Sequence, residues 1–199
     1  MLAPTLATLL LLMAAADARP AILSCKGAFA PHASEASLKK YFGAKNVRSE
    51  AIQVGEGFTE PGTVVFPNDK HRRVEILWSD PKRKRSPARV HVRGNGWRTP
   101  EGITRGTTLR IVEKHNRKPF VITGFSWDYG GRAGTWRGGR LEHRDSPCRL
   151  SLEFSPGDRE DEDFRRLIDS VSGEHEFSSG HPSMQKINPI VDGIELTYN

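Results

Sequence analysis

Ser34-Glu-Ala-Ser-Leu-Lys-Lys-Tyr-Phe-Gly43, with the three apolar patches that come after it, decides the fold. Ser34 is of the type that caps a helix N-terminus, and Glu35 suits the positive end of the helix dipole. Leu38, Tyr41 and Phe42 form one apolar stripe, and Gly43 can close the helix in a left-handed conformation. The pattern then changes period. Ala51-Ile-Gln-Val54 alternates, Gly62-Thr-Val-Val-Phe66 is β-branched and aromatic, and Arg73-Val-Glu-Ile-Leu-Trp78 alternates up to Asp80-Pro81. Pro61-Gly62 and Pro67-Asn68-Asp69 supply turns between them. The region predicts one helix followed by an antiparallel meander, to which Ala88–Val92 adds a further strand.

The same order returns further along. A second helix is expected after Gly102-Ile103, with Thr104 or Thr107 as cap, Leu109 and Val112 on its apolar side, and Asn116 closing it before Pro119. Strands are then predicted at Phe120–Phe125, Ala133–Trp136 and Arg149–Phe154, with Trp127-Asp-Tyr-Gly-Gly131 as an aromatic strand end and turn. The element order predicts an α+β chain of two helix-plus-meander units, a possible tandem repeat, divided as residues 19–100 and 101–199. Beyond them, Asp158–Asp163 is acidic. Phe164, Leu167, Ile168 and Val171 then fit an amphipathic helix, a polar loop comes next, and Ile194–Tyr198 alternates as a returning strand.

Outside these units, residues 1–18 read as a signal peptide. Leu2–Ala16 is an uncharged apolar run, and Ala16-Asp17-Ala18 offers the small residues of a cleavage site, although the α-amino group is the only positive charge ahead of the run. The run is shorter than the roughly 20 residues that span a bilayer. Export to the periplasm or beyond is therefore expected, with no transmembrane segment in the mature chain. In an oxidising compartment the two cysteines, Cys25 and Cys148, are most simply paired as a disulfide. A lipid on Cys25 is the competing reading, since Ile22-Leu-Ser-Cys25 loosely resembles a lipobox. Asp17, Arg19 and Pro20 separate it from the apolar core, which speaks against that.

The 199 residues carry 30 Lys and Arg against 24 Asp and Glu, a net charge of +6. That field biases encounters toward anionic partners without marking a nucleic-acid site, so no nucleic acid is expected. Its densest run, Lys82-Arg-Lys-Arg85, reads first as a solvated hairpin tip, and second as a patch for an anionic lipid, glycan or acidic protein. The run has no interleaved aromatic residues of the kind that stack on bases.

Catalytic motifs are missing from the sequence. There is no Gly-x-Ser-x-Gly, no His-Glu-x-x-His, and none of the seven histidines forms an i, i+4 pair. No catalytic residue, cofactor or metal is expected, and the acidic Asp158–Asp163 stretch fits a helix N-terminus better than a calcium loop. Trp127, Asp128, Tyr129 and Trp136, with Trp97 nearby, are either packed strand ends or a concave aromatic face for a sugar, peptide or protein. The expected role is an exported binding or structural protein that contacts a protein or envelope glycan. The alternative is a cell-wall hydrolase or transferase using dispersed carboxylates such as Asp80 and Asp128.

The segment Gly102-Ile-Thr-Arg-Gly-Thr-Thr-Leu109 through Lys118-Pro-Phe-Val-Ile-Thr-Gly-Phe-Ser-Trp-Asp-Tyr-Gly-Gly131 resembles a group of uncharacterised exported proteins of Gram-negative bacteria. The likeness covers nearly all of the mature chain. It implies export but no activity. Where that group commonly reads Asn-Gly-Lys, this chain has Asn116-Arg117-Lys118. In architecture alone the units are also similar to the repeats of secreted β-lactamase inhibitor proteins and the outer-membrane assembly lipoprotein BamE, both binding folds.

Overall fold

The computed structural model describes residues 20–198, so the expected signal peptide lies outside the described residues. In chain order the elements are β1 (Ala21–Ile22), α1 (Glu35–Phe42), β2 (Val47–Gly55), β3 (Phe58–Val65), β4 (Val74–Asp80), β5 (Arg85–Val92), β6 (Trp97–Arg98) and α2 (Leu109–Asn116). They continue as β7 (Val121–Thr123), β8 (Arg132–Ala133), β9 (Cys148–Ser155), α3 (Glu162–Asp169), β10 (Glu176–Ser178), α4 (Pro182–Ile187) and β11 (Ile190–Tyr198). Short 3₁₀ turns occupy Gly27–Phe29, Ala44–Asn46 and Arg140–Glu142.

The first unit forms as its sequence predicts. Ser34 accepts a hydrogen bond from the Ser37 backbone N–H, and the Ser37 hydroxyl accepts one from the Ser34 N–H, a reciprocal capping box. Gly43 ends α1 at φ 86° and ψ 136°, a positive φ outside the left-handed helical region. Strands β2 to β5 then run as an antiparallel meander.

The second unit departs from the repeat. Seven antiparallel strands join in the order β2-β3-β4-β5-β11-β9-β8, so strands from both sides of residue 100 share one sheet. The C-terminal β11 lies between β5 and β9. β7 leaves this sheet and pairs with β10 instead. The segment after α3 is the reason: the Gly124 N–H bonds the His175 carbonyl and the Phe125 N–H bonds the Val171 carbonyl, so this later stretch of chain takes up β7's edge. Of the strand expected at Ala133–Trp136, only Ala133 lies in β8, and Thr135 makes an isolated antiparallel bridge to Val121 instead.

One face of the sheet carries Val65, Val74, Ile76, Val90, Val92, Ile194, Leu196, Leu150, Leu152 and Phe154, all buried. Alternation at period two puts them together, and α1 and α2 add Leu38, Leu109 and Val112 to the same core. Burial of such side chains contributes about 1.5–3 kcal/mol each. Cys25 and Cys148 form a disulfide spanning 123 residues, which ties the N-terminal segment to β9. No helix among the described residues is long and apolar enough to cross a membrane.

The candidate site: a pocket beside the disulfide

The aromatic residues that read either as packed strand ends or as one concave face are divided by the fold. Trp97 and Trp136 belong to the core: the Trp97 indole N–H donates to the Arg72 carbonyl at 2.9 Å, and that of Trp136 to the Leu150 carbonyl at 3.0 Å. Both rings satisfy their one donor internally, so neither offers an exposed face. Trp127 is half-buried, its N–H bonded to the Gly124 carbonyl, and its ring meets Tyr129 edge-on at 5.5 Å. Asp128 and Tyr129 stay exposed. The Tyr129 hydroxyl donates to Glu56 at 3.2 Å, which raises its pKa above the usual tyrosine value, chiefly through that bond.

The basic run is divided too. Lys84 turns inward to the Glu35 carboxylate at 3.3 Å, and Arg83 faces Asp80 at 3.8 Å. Lys82 and Arg85 remain on the surface. Glu35, in the first turn of α1, receives Lys39, Lys84, Ser49 and Thr63. Burial acts to raise its pKa, but the hydrogen bonds from these four groups outweigh it and hold the carboxyl at about 2. Asp80 also accepts from the Arg83 N–H at 3.0 Å, in the turn between β4 and β5.

On the other face of the sheet lies a charged row that the sequence did not announce. Glu195 and His91 sit opposite each other on β11 and β5, each 7% exposed. Glu153 on β9 joins Arg93 at 2.9 Å and Arg132 at 2.8 Å, and His91 Nε2 lies 3.4 Å from it. Burial acts to raise the Glu153 pKa, but His91 and the two arginines outweigh it and hold it at about 2. The row is covered because the distal β2–β3 hairpin reaches across it. Arg89 on β5 donates to the Gln53 carbonyl, and Glu56 at the hairpin tip meets Tyr129 beside β8 at the far sheet edge. Gly193 permits the crowding, since a Cβ there would stand 2.7 Å from Glu153 Oε2 and 3.0 Å from His91 Nε2.

A cavity of about 600 Å³ opens at the other end of the core, beside the disulfide. Its floor is Leu23, Leu150 and Leu196, and the disulfide forms one wall. β1 runs parallel to β6, and the Leu23 N–H bonds the Arg98 carbonyl, which places Leu23–Lys26 along one side. The chain after β6 folds back through Thr99 N–H to the Ile103 carbonyl and presents Glu101. His143 comes after the 3₁₀ turn at φ 44° and ψ 51°, a left-handed backbone that is uncommon for a residue with a Cβ. Its Nε2 lies 3.1 Å from Glu101 Oε1, and the Glu101 side chain is 12% exposed. Glu101 Oε2 and His91 Nε2 are the two buried side-chain polar atoms without a hydrogen-bond partner among the described residues.

Neither Glu101 nor His143 carries a motif, so their meeting across 42 residues of chain was not readable from spacing. The paired cysteines were the available signal, because a disulfide wall marks where distant loops converge. Among the described residues no group of three or more His, Cys, Asp or Glu side chains is placed to hold a metal ion. Asp161, from the acidic stretch, caps α3 by accepting from the Phe164 N–H at 2.9 Å.

The fold is α+β, an antiparallel seven-stranded sheet with four helices. No family model matches the chain, and no curated protein matches it. Among solved structures it is similar to the uncharacterized protein YfeY from Escherichia coli, at 16% identity and a TM-score of 0.38, over 76% of this chain and 78% of that one.

Proposed function

We propose that the protein is an exported binding protein of the bacterial cell envelope and that its ligand seats in the pocket beside the Cys25–Cys148 disulfide. The carrying observation is the convergence of an apolar floor, Leu23, Leu150 and Leu196, with a carboxylate that has one oxygen unpartnered. Concave, largely apolar sites with a few convergent polar groups are how small-molecule sites are usually built, at about 300–1,000 Å³. The export part of the reading rests on the leader-like residues 1–18 and on a disulfide of the kind an oxidising compartment maintains. Both support a periplasmic location.

The test is thermal stability of the mature protein against soluble envelope components, namely peptidoglycan fragments, oligosaccharides and short peptides. One or more should raise the melting temperature by mass action. The rise should vanish in Ser24→Trp, which fills the half-buried pocket wall. A rise that survives in Ser24→Trp would place the ligand elsewhere.

A second reading keeps a cell-wall hydrolase or transferase using dispersed carboxylates. Asp80 is engaged in the β4–β5 turn, and Asp128 is exposed beside Trp127. Turnover of purified peptidoglycan that Asp128→Asn abolishes would favour that reading over pure binding.

A further inference from the structure

We infer that the pocket beside the disulfide selects small amphipathic molecules by a protonated amine, received by Glu101, with the apolar body lying on the leucine floor. The inference rests on the binding reading above and names its ligand chemistry.

The sign of the preferred charge is set inside the cavity. At the mouth Lys26, Arg144 and Asp145 bring both signs and are exposed, so solvent screens them. Within, Glu101 lines the cavity with its side chain 12% exposed, and its Oε2, which has no donor, is itself covered, so a ligand reaches it only when a neighbouring side chain moves aside. A carboxylate oxygen is only an acceptor, so the group that completes it must carry N–H or O–H. An ammonium does so with a charge-assisted hydrogen bond, roughly twice as strong as a neutral one. Leaving a buried acceptor unmade is costly, which makes the unfilled oxygen a source of selectivity.

His143 completes the arrangement. Its Nε2 stands against the other oxygen, Oε1, at 3.1 Å, and its side chain, 35% exposed, also lines the cavity. The inferred ligand reaches Glu101 by displacing this partly exposed imidazole. The left-handed backbone at His143 holds the imidazole over the carboxylate. The leucine floor and the disulfide give the body of the ligand an apolar face, although Ser24, Thr99 and Ser146 also line the cavity.

Three probes with one apolar body and different heads test this: 2-phenylethylamine, 2-phenylethanol and phenylacetate, each titrated into the full mature protein and monitored by NMR. The amine should bind about tenfold more tightly than the alcohol or the acid. In Glu101→Gln the three should bind alike, with the fold checked by its unchanged spectrum outside the pocket. Phenylacetate binding as tightly as the amine in the wild-type protein would overturn the inference without recourse to any variant. So would an amine preference that persists in Glu101→Gln, or binding of none of the three. In that last case the broader binding reading still stands or falls separately, on whether envelope components give a stabilisation lost in Ser24→Trp.

Discussion

The Thr63 hydroxyl donates to the Glu35 carboxylate at 2.8 Å, joining the first turn of α1 to β3, the second strand of the sheet. The Trp78 indole N–H donates in turn to the Thr63 oxygen at 2.9 Å, so the carboxylate is wired through the core to β4. Charge-assisted hydrogen bonds of this kind contribute about 1.5–3 kcal/mol each when buried.

Glu35 should therefore make stability fall in acid. Its folded pKa of about 2 lies below the ordinary value of 4.5, so its contribution is fully present above about pH 4.5 and is lost as the pH falls toward 2. Glu35→Gln should be less stable than the wild type at pH 7, and the gap should narrow below pH 4.5. Denaturant titrations at pH 7, 4 and 3 measure it, and a gap that stays constant would contradict the assignment.

The basic run should separate into structural and surface members. Lys84→Ala removes one of the cations on the buried Glu35 and, with the ammonium partly screened by solvent and Lys39 still in place, should cost about 1 kcal/mol. Lys82→Ala, on an exposed side chain, should stay within about 0.5 kcal/mol. If heparin retention depends on the run at all, Lys82 and Arg85 should carry it. Equal stability losses at Lys82 and Lys84 would refute this division.

Reduction of the disulfide should destabilise the fold by about 4–5 kcal/mol on chain-entropy grounds, given its 123-residue span. The loss should be felt first at β1, which is held to the body through its short pairing with β6. Limited proteolysis under reducing conditions should cut within residues 20–26 before elsewhere. Cleavage starting instead in the β-sheet would show that the tether is not what holds this segment.

Arg117 stands just after α2 in the left-handed region, at φ 62° and ψ 11°, where glycine is the favoured residue. Its N–H still closes the helix on the Glu113 carbonyl at 2.8 Å. Arg117→Gly should relieve about 1–2 kcal/mol of backbone strain, partly offset by glycine's greater freedom in the unfolded chain. A net gain of roughly 0.5–1 kcal/mol in thermal unfolding is expected, and a loss would mean that the Arg117 side chain supports the fold.

The first half of the chain is legible because its signals are local. The Ser34 cap, the 3.6-residue stripe of α1 and the alternation of β4 each specify their own element, and consecutive strands there are also neighbours in space. The second half reads as a repeat because alternation marks a strand without naming its partner. Nothing in Val121–Thr123 says that it pairs with Glu176–Ser178, or that Ile190–Tyr198 inserts between β5 and β9. The site shows the same limit. The pairing of Cys25 with Cys148 followed from compartment and count, whereas the approach of His143 to Glu101 depends on two loops that only the folded sheet brings together. Trp97 and Trp136 read equally as packed rings or as part of an aromatic face, because sequence does not show which side of a strand or turn the core lies on; burial and an internally bonded indole N–H make them packed.

The most direct measurement of the central claim is an NMR titration of the isotopically labelled mature protein with the small-molecule fraction of bacterial periplasm. The pocket account predicts shifts concentrated at Leu23–Lys26, Thr99–Glu101 and His143–Cys148, and their disappearance in Ser24→Trp. Shifts centred on Trp127–Tyr129 or on Lys82–Arg85, with the pocket residues unmoved, would contradict it.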